Sequence, residues 1–184
     1  MSTSTTTNIP TGTWNVDPAH SQVGFAVKHM GIATVRGEFH QFQGIVTVDD
    51  DGNATASGTV KATSVDTGED QRDDHLRSPD FFDVASYPEL KFESSSIEST
   101  TEDTYRIKGD LTIHGVTNPV VLEASVDGTD TDPYGNERVG LEIVGQISRG
   151  DYEMKFNQAL GSGNMLVADK VKLALDISAV KQAA

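Results

Sequence analysis

The chain has 184 residues and a formal net charge of -14 at pH 7, with a sequence pI near 4.5. That length is most simply one domain, and so acidic a balance excludes nucleic-acid binding and docking on anionic lipid, which both need a basic patch. No apolar run approaches the roughly 18 residues of a membrane span, and the absence of cysteine removes disulfides, thiolate nucleophiles and Cys-ligated metals.

The first residues, MSTSTTTNIP, are polar and uncharged and lack the basic and apolar regions of a signal peptide. Residues 1–11 therefore read as a disordered tail, and the chain as written reads as cytoplasmic. Residues 12–181 read as a single all-β domain. In residues 22–29, Val23, Phe25 and Val27 share one face of a strand. Phe39 and Phe42 flank a bend, Ile45, Val46 and Val48 continue, and residues 49–53 form an Asp- and Gly-rich turn into a strand over 54–61.

The pattern then changes. Residues 69–77, EDQRDDHLR, form a short charged run of helical spacing, expected to be laced by pairs of Glu69 with Arg72 and Asp73 with Arg77 on a solvated face. Pro79 stops it, and Phe81, Phe82, Tyr87, Leu90 and Phe92 follow. Phe81 and Phe82 cannot both face inward if that stretch is extended. Strands are expected over 89–97, 104–114, 119–127, 138–148 and 171–180. Residues 128–137 read as an exposed loop and residues 161–164 as a turn. Seven or eight strands joined mostly by short turns leave two architectures open, a sandwich or a closed barrel.

No local motif supplies chemistry. The five histidines lack the spacing that puts two metal ligands on one helix face, and His20 and His114 read as hydrogen-bonding groups at strand ends. There is no Gly-x-Ser-x-Gly elbow for a hydrolase nucleophile. Catalytic and metal-binding residues are therefore expected to be none.

Four stretches carry a resemblance: residues 13–29 (TWNVDPAHSQVGFAVKH), residues 64–94, residues 109–123 (GDLTIHGVTNPVVLE), and residues 147–160 (ISRGDYEMKFNQAL) followed by 167–180 (VADKVKLALDISAV). Together they resemble the YceI family of lipid-binding proteins from about residue 12 to residue 180. The resemblance implies a lipocalin-like antiparallel β-barrel of about eight strands, with a short inserted helix at one end and an elongated apolar tunnel. It also implies a long isoprenoid ligand, a polyprenyl chain or isoprenoid quinone, or a fatty-acid-like amphiphile. Many family members carry signal peptides and are periplasmic, whereas the first residues here read as something other than a signal peptide. Relatives also often place Gly after Arg-x-Asp-aromatic, where this chain has Glu153, so a different local bend is expected there.

An isoprenoid chain asks for apolar wall, since each buried methylene is worth about 0.8 kcal/mol. Soft or flat side chains suit it: Phe25, Phe39, Phe42, Phe92, Met154 and Phe156. The inward strand residues Val27, Leu90, Leu111, Ile113 and Ile143 complete the expected ligand surface, with Phe81 and Phe82 closing it. Arg72, His75 and Arg149 are the expected head-group contacts, an inward Arg needing a carboxylate or ligand oxygen as partner. The expected function is carriage or storage of the lipid by a monomer or homodimer, with no cofactor and no chemistry. The rival readings are an enzyme acting on a lipid-like substrate through His75 or His114, and an interaction module with a filled cavity.

Overall fold

The computed structural model describes residues 7–183. In chain order they form β1 (Gly12–Val16), β2 (Gln22–His29), β3 (Ala33–Phe39), β4 (Phe42–Val48), β5 (Ala54–Lys61), β6 (Val65–Asp66), helix α1 (Asp70–Arg77), β7 (Glu89–Ser99), β8 (Thr104–Ile113), β9 (Val116–Thr131), β10 (Glu137–Ser148) and β11 (Val167–Lys181). All pairings between these strands are antiparallel. β1 and β2 lie in line along the same edge of β11, β3 and β4 pair with β2 and β1, and β5 and β6 pair with β4 and β3. These three couples are single long strands with a bend in each, so the barrel has eight strands that follow one another in order. β11 returns to pair with β1 and β2, and that closure leaves the sheet without free long edges.

The bends have local causes. Between β1 and β2, Pro18 lacks an N–H for the ladder, and the Asp17 carboxylate accepts from Ala19 N at 3.0 Å. Arg138 donates to Asp17 at 2.9 Å and to Asp132 at 2.8 Å, fastening this bend to the β9–β10 turn. Its guanidinium holds both carboxyls below the usual carboxylate range. The bend at residues 40–41 separates β3 from β4. There the outward carboxylates Glu38 and Asp66 stand directly opposite each other in register, and His40 Nε2 sits 2.8 Å from Asp66 and 3.5 Å from Glu38. Opposed like charges destabilise a strand pair, so a protonated His40 stabilises this one.

The hydrogen bond to Asp66 raises the His40 pKa above its ordinary 6.5. A raised folded-state value means the contribution is complete below 6.5 and is lost as pH climbs through the folded value. An NMR titration should place His40 above 6.5, and Asp66→Asn should return it toward that value. An unshifted His40 in the parent protein would contradict the ion pair.

Tight turns and long segments divide between the two barrel ends. At one end lie the β2–β3 turn, the β8–β9 turn at His114–Gly115, the segment 67–88 that contains α1, and the segment 149–166. The β8–β9 turn needs positive φ at both residues (55° and 72°), and a Cβ at Gly115 would come within 2.5 Å of the Tyr87 ring. At the other end, the turns at residues 49–53 and 132–136 share one device. Asp49 and Asp132 each accept backbone N–H bonds from residues two and four further on.

Two strands start earlier than the sequence reading placed them, β9 at Val116 and β11 at Val167, and two larger boundaries differ. The expected loop over residues 128–137 shrinks to 132–136, because Thr129, Asp130 and Thr131 pair with Val139, Arg138 and Glu137. A polar strand pair at the barrel rim has the composition of a loop, so polarity alone does not separate the two. The tail expected over 1–11 lies partly outside the described residues. Its described part packs on the barrel, with Ile9 only 7% exposed and Thr7 N bonded to Gly52 O at 3.0 Å.

Ile9 joins Trp14, Val48, Val139, Leu141, Ile177 and Ala179 in a buried apolar cluster at the end opposite α1. A second cluster around Tyr105, Ile107, Leu122 and Ala124 occupies the middle, and a third around Ile113, Ile147, Tyr152 and Met154 lies toward the α1 end.

Candidate ligand-binding site

Along β2, β10 and β11 the inward residues form rows across the sheet. Val27, Val171 and Ile147 make one row, and Phe25, Leu173 and Gly145 make the next toward the middle. They are only partly buried apart from Ile147, because the interior at this end is not filled. A cavity of about 280 Å³ opens there, bounded by these rows, by Phe39, Leu90 and Ile113, and by the α1 segment.

Gly37 explains how one aromatic ring leaves room, since a Cβ there would lie 2.4 Å from the Phe25 ring. That phenyl therefore lies against bare backbone on the wall, where a side chain would have pushed it into the interior.

The cap is built from the segment 67–88. The expected ion pairs of α1 are largely replaced. Asp73, 5% exposed, accepts from Thr67 N at 2.8 Å and Thr67 Oγ1 at 2.6 Å, and Arg72 donates to Thr67 Oγ1 and Thr67 O. Arg77 pairs with Asp74 at 3.0 Å and donates to Thr63 O and Val65 O. A two-turn helix has more orphan backbone groups than ladder bonds, so its charged side chains fasten the ends. Residues 78–83 then turn, with Phe81 N bonded to Ser78 O and Phe82 N to Leu76 O, so the chain is not extended and both rings reach the cavity. Phe82 meets Phe39 edge-on at 5.7 Å, while Phe81 contacts His75 at 5.1 Å and Phe156 at 5.4 Å.

The segment 149–166 supplies the facing wall with Met154, Phe156 and Leu166. It starts with Arg149, which is 5% exposed and borders the cavity. The guanidinium donates to Ala168 O at 2.8 Å, Met154 O at 2.7 Å and Val167 O at 3.1 Å, and stands 6.0 Å over the Phe81 ring. Burial pushes its pKa down. Asp169 is directed elsewhere, to the Ser148 hydroxyl and to Gly150 N.

Glu153, where the resemblance implied a different local bend, adopts φ 61°, a left-handed conformation that glycine takes freely. The bend is thus made by a strained Glu residue. Glu153→Gly should raise the unfolding free energy by about 0.5–1 kcal/mol, the relief of strain exceeding the loss of its exposed pair with Lys155. Chemical denaturation checks this, and a lower midpoint in the variant would refute it.

Of the expected ligand residues, the structure places Phe25, Val27, Phe39, Phe81, Phe82, Leu90, Ile113, Met154 and Phe156 along the cavity, together with Arg72, His75 and Arg149. It places four elsewhere. Phe42 and Phe92 border a separate, more polar depression beside Glu89, Lys91 and Glu93. Leu111 packs with the Ile113 cluster, and Ile143 lies with Leu175 and Val23, one row deeper than the cavity reaches. Period-2 alternation assigns a residue to the inner face but says nothing of its depth. Val35, Leu76, Leu166, Val171 and Leu173 also line the cavity and are missing from the expected ligand surface. Leu76 carried a usable signal as the single aliphatic residue in DQRDDHLR. His75 lies between Phe81 and Phe156 with Nε2 2.8 Å from Asp80, and His114 Nδ1 meets Tyr152 O at 3.0 Å.

A closed, in-order antiparallel barrel with an apolar cavity under a helical cap defines a lipocalin-like barrel protein. Residues 14–179 match the YceI-like domain, and the chain belongs to that family. It is 38% identical over 165 residues to Protein YceI of Escherichia coli O17:K52:H18, covering 89% of this chain and 83% of that protein. The crystal structure of Burkholderia cenocepacia BcnA superposes with a TM-score of 0.77 at 25% identity, covering 89% of this chain and 98% of that one. A domain from Saccharophagus degradans, described as polyisoprenoid binding and implicated in plant cell wall breakdown, superposes at 0.68. It is 16% identical and covers 92% of this chain and 98% of its own, a likeness of fold.

Proposed function

We propose that the protein binds the chain of an isoprenoid lipid in the cavity beneath α1 and holds it for carriage or storage, without chemistry of its own. The observation that carries this reading is the wall, where three aromatic rings (Phe25, Phe39, Phe82) and the branched side chains of Val27, Ile113, Ile147, Val171 and Leu173 face unfilled space. Branched aliphatic groups complement a chain that bears a methyl branch on every unit. The polyisoprenoid-binding description of the S. degradans domain supports the same ligand class for this fold.

At about 30 Å³ for a methylene-sized group, 280 Å³ takes roughly nine or ten of them, or two isoprene units. Their burial is worth about 8 kcal/mol before the costs of association. A longer chain would continue through the mouth or displace interior side chains. The test is organic extraction of protein purified under mild conditions, followed by mass spectrometry. A stoichiometric polyprenyl chain or isoprenoid quinone is expected. Its absence, together with no uptake of an added polyprenyl quinone, overturns the reading.

A further inference from the structure

A second cluster of polar side chains lies outside the cavity, at the bend where β3 passes into β4. Glu38 and Asp66 stand opposite each other across the β3–β6 pair. His40 directs Nε2 at both, 3.5 Å from Glu38 Oε1 and 2.8 Å from Asp66 Oδ2. The three atoms all fall within 4.8 Å of one another. Among the described residues no other three histidine or carboxylate side chains converge in this way, and His20 and His75 each meet one carboxylate, Asp17 and Asp80. Spacing along the chain hides the group, because Asp66 reaches it through strand register.

A tetrahedral ion about 2.0–2.2 Å from nitrogen and oxygen ligands sets those ligands about 3.3–3.5 Å apart. The His40–Glu38 separation already fits, and Asp66 needs to yield by about half an ångström. Both carboxylates are oriented by donors outside the trio. Gln22 Nε2 donates to Glu38 Oε2 and Gly68 N donates to Asp66 Oδ1, which leaves Oε1 and Oδ2 turned on His40. Support of this kind fixes the direction of a metal ligand. Two carboxylates opposed on neighbouring strands also repel, and a cation between them relieves the cost. Protonated His40 supplies one charge, whereas a divalent ion supplies two and takes the neutral imidazole as a ligand. Arg77 favours the charged form of Asp66 from a distance, but its guanidinium is engaged by Asp74, Thr63 O and Val65 O. A nitrogen beside two oxygens selects a transition ion over calcium or magnesium, which prefer oxygen alone.

We propose that Glu38, His40 and Asp66 form a binding site for a divalent transition-metal ion of the zinc class, with water completing the coordination at these partly exposed side chains. Its position bears on the cap. Asp66 immediately precedes Thr67, the residue on which Asp73 and Arg72 fasten α1, so an ion that ties Asp66 to β3 anchors the start of the cap segment. The site does not depend on what the cavity holds.

Titration of the full chain, freed of metal by a chelator, with zinc chloride while the histidine rings are followed by NMR tests it. The His40 resonances are expected to reach half-saturation at a zinc concentration at least about tenfold lower than those of His20 and His75, the effect of one further carboxylate ligand. Asp66→Asn and Glu38→Gln, close in shape to the parent residues, should each remove that advantage. Zinc should also raise the Tm of the parent protein more than that of Asp66→Asn. Magnesium chloride at the same concentrations should leave His40 unmoved. Because the three histidines are compared within the parent protein, a variant that fails to fold does not spoil the result. An equal response of His20, His40 and His75 overturns the proposal and reduces zinc to weak surface binding. An advantage at His40 that persists in both variants also overturns it, and so does a response to magnesium as strong as that to zinc, which would assign the pair to ordinary counter-ion screening.

Discussion

Trp14→Ala is expected to lower the unfolding free energy by about 3–5 kcal/mol while leaving lipid exchange unchanged. Trp14 is 1% exposed and is among the largest fully buried side chains of the described residues. It lies on β1, which pairs with β4 on one side and β11 on the other, so it stands at the seam where the barrel closes. Its indole N–H donates to Pro10 O at 2.9 Å, which also ties the first residues to the barrel end. Truncation would remove a large apolar surface and leave a cavity walled by Val48, Val139, Ile177 and Ala179. Urea denaturation measures the loss, and a change below about 1 kcal/mol would show that this end collapses around the gap. The second half of the expectation is sharper. Trp14 does not border the cavity beneath α1, so faster lipid release from the variant would place the chain in the distal half.

The strands were legible because one face of each is buried and the other is wet, which writes a period of 2 into residues such as Val171, Leu173, Leu175 and Ile177. The closed barrel was not legible from that period. Closure depends on β11 pairing with β1, a contact between the two ends of the chain, and only the family resemblance supplied it. Around the cavity, the aromatic residues announced themselves by composition, while Val35 and Leu166 were hidden. Val35 lies in a strand whose apolar alternation is interrupted at Gly37, whose role is to receive the Phe25 ring across the sheet, and nothing local in the sequence expresses that contact. Depth along the barrel was equally silent. Ile143 and Ile147 read alike, yet only Ile147 reaches the cavity.

The cap gives the converse expectation to Trp14. Phe81→Ala combined with Phe82→Ala should accelerate lipid release about tenfold to a hundredfold. Each ring contributes apolar surface of roughly 1.5–3 kcal/mol when fully buried, and part of that surface faces the ligand space. Every 1.4 kcal/mol lost from the bound state is about a factor of ten, and for changes within one site it is expressed mainly in the off-rate. The rings also hold the cap shut. Phe82 wedges against Phe39 of the wall, and Phe81 joins α1 through His75 to the opposing segment through Phe156. With both removed, those contacts between cap and barrel go while the Asp73–Thr67 bonds that start α1 remain, so the cap should stay helical but open more often. Stopped-flow transfer of a fluorescent lipid to acceptor vesicles reads the rate, and amide exchange across residues 70–83 reads the opening. An unchanged release rate with an intact fold would reduce the cap to a structural plug, and would move the exit path to the barrel wall or to the end guarded by Trp14.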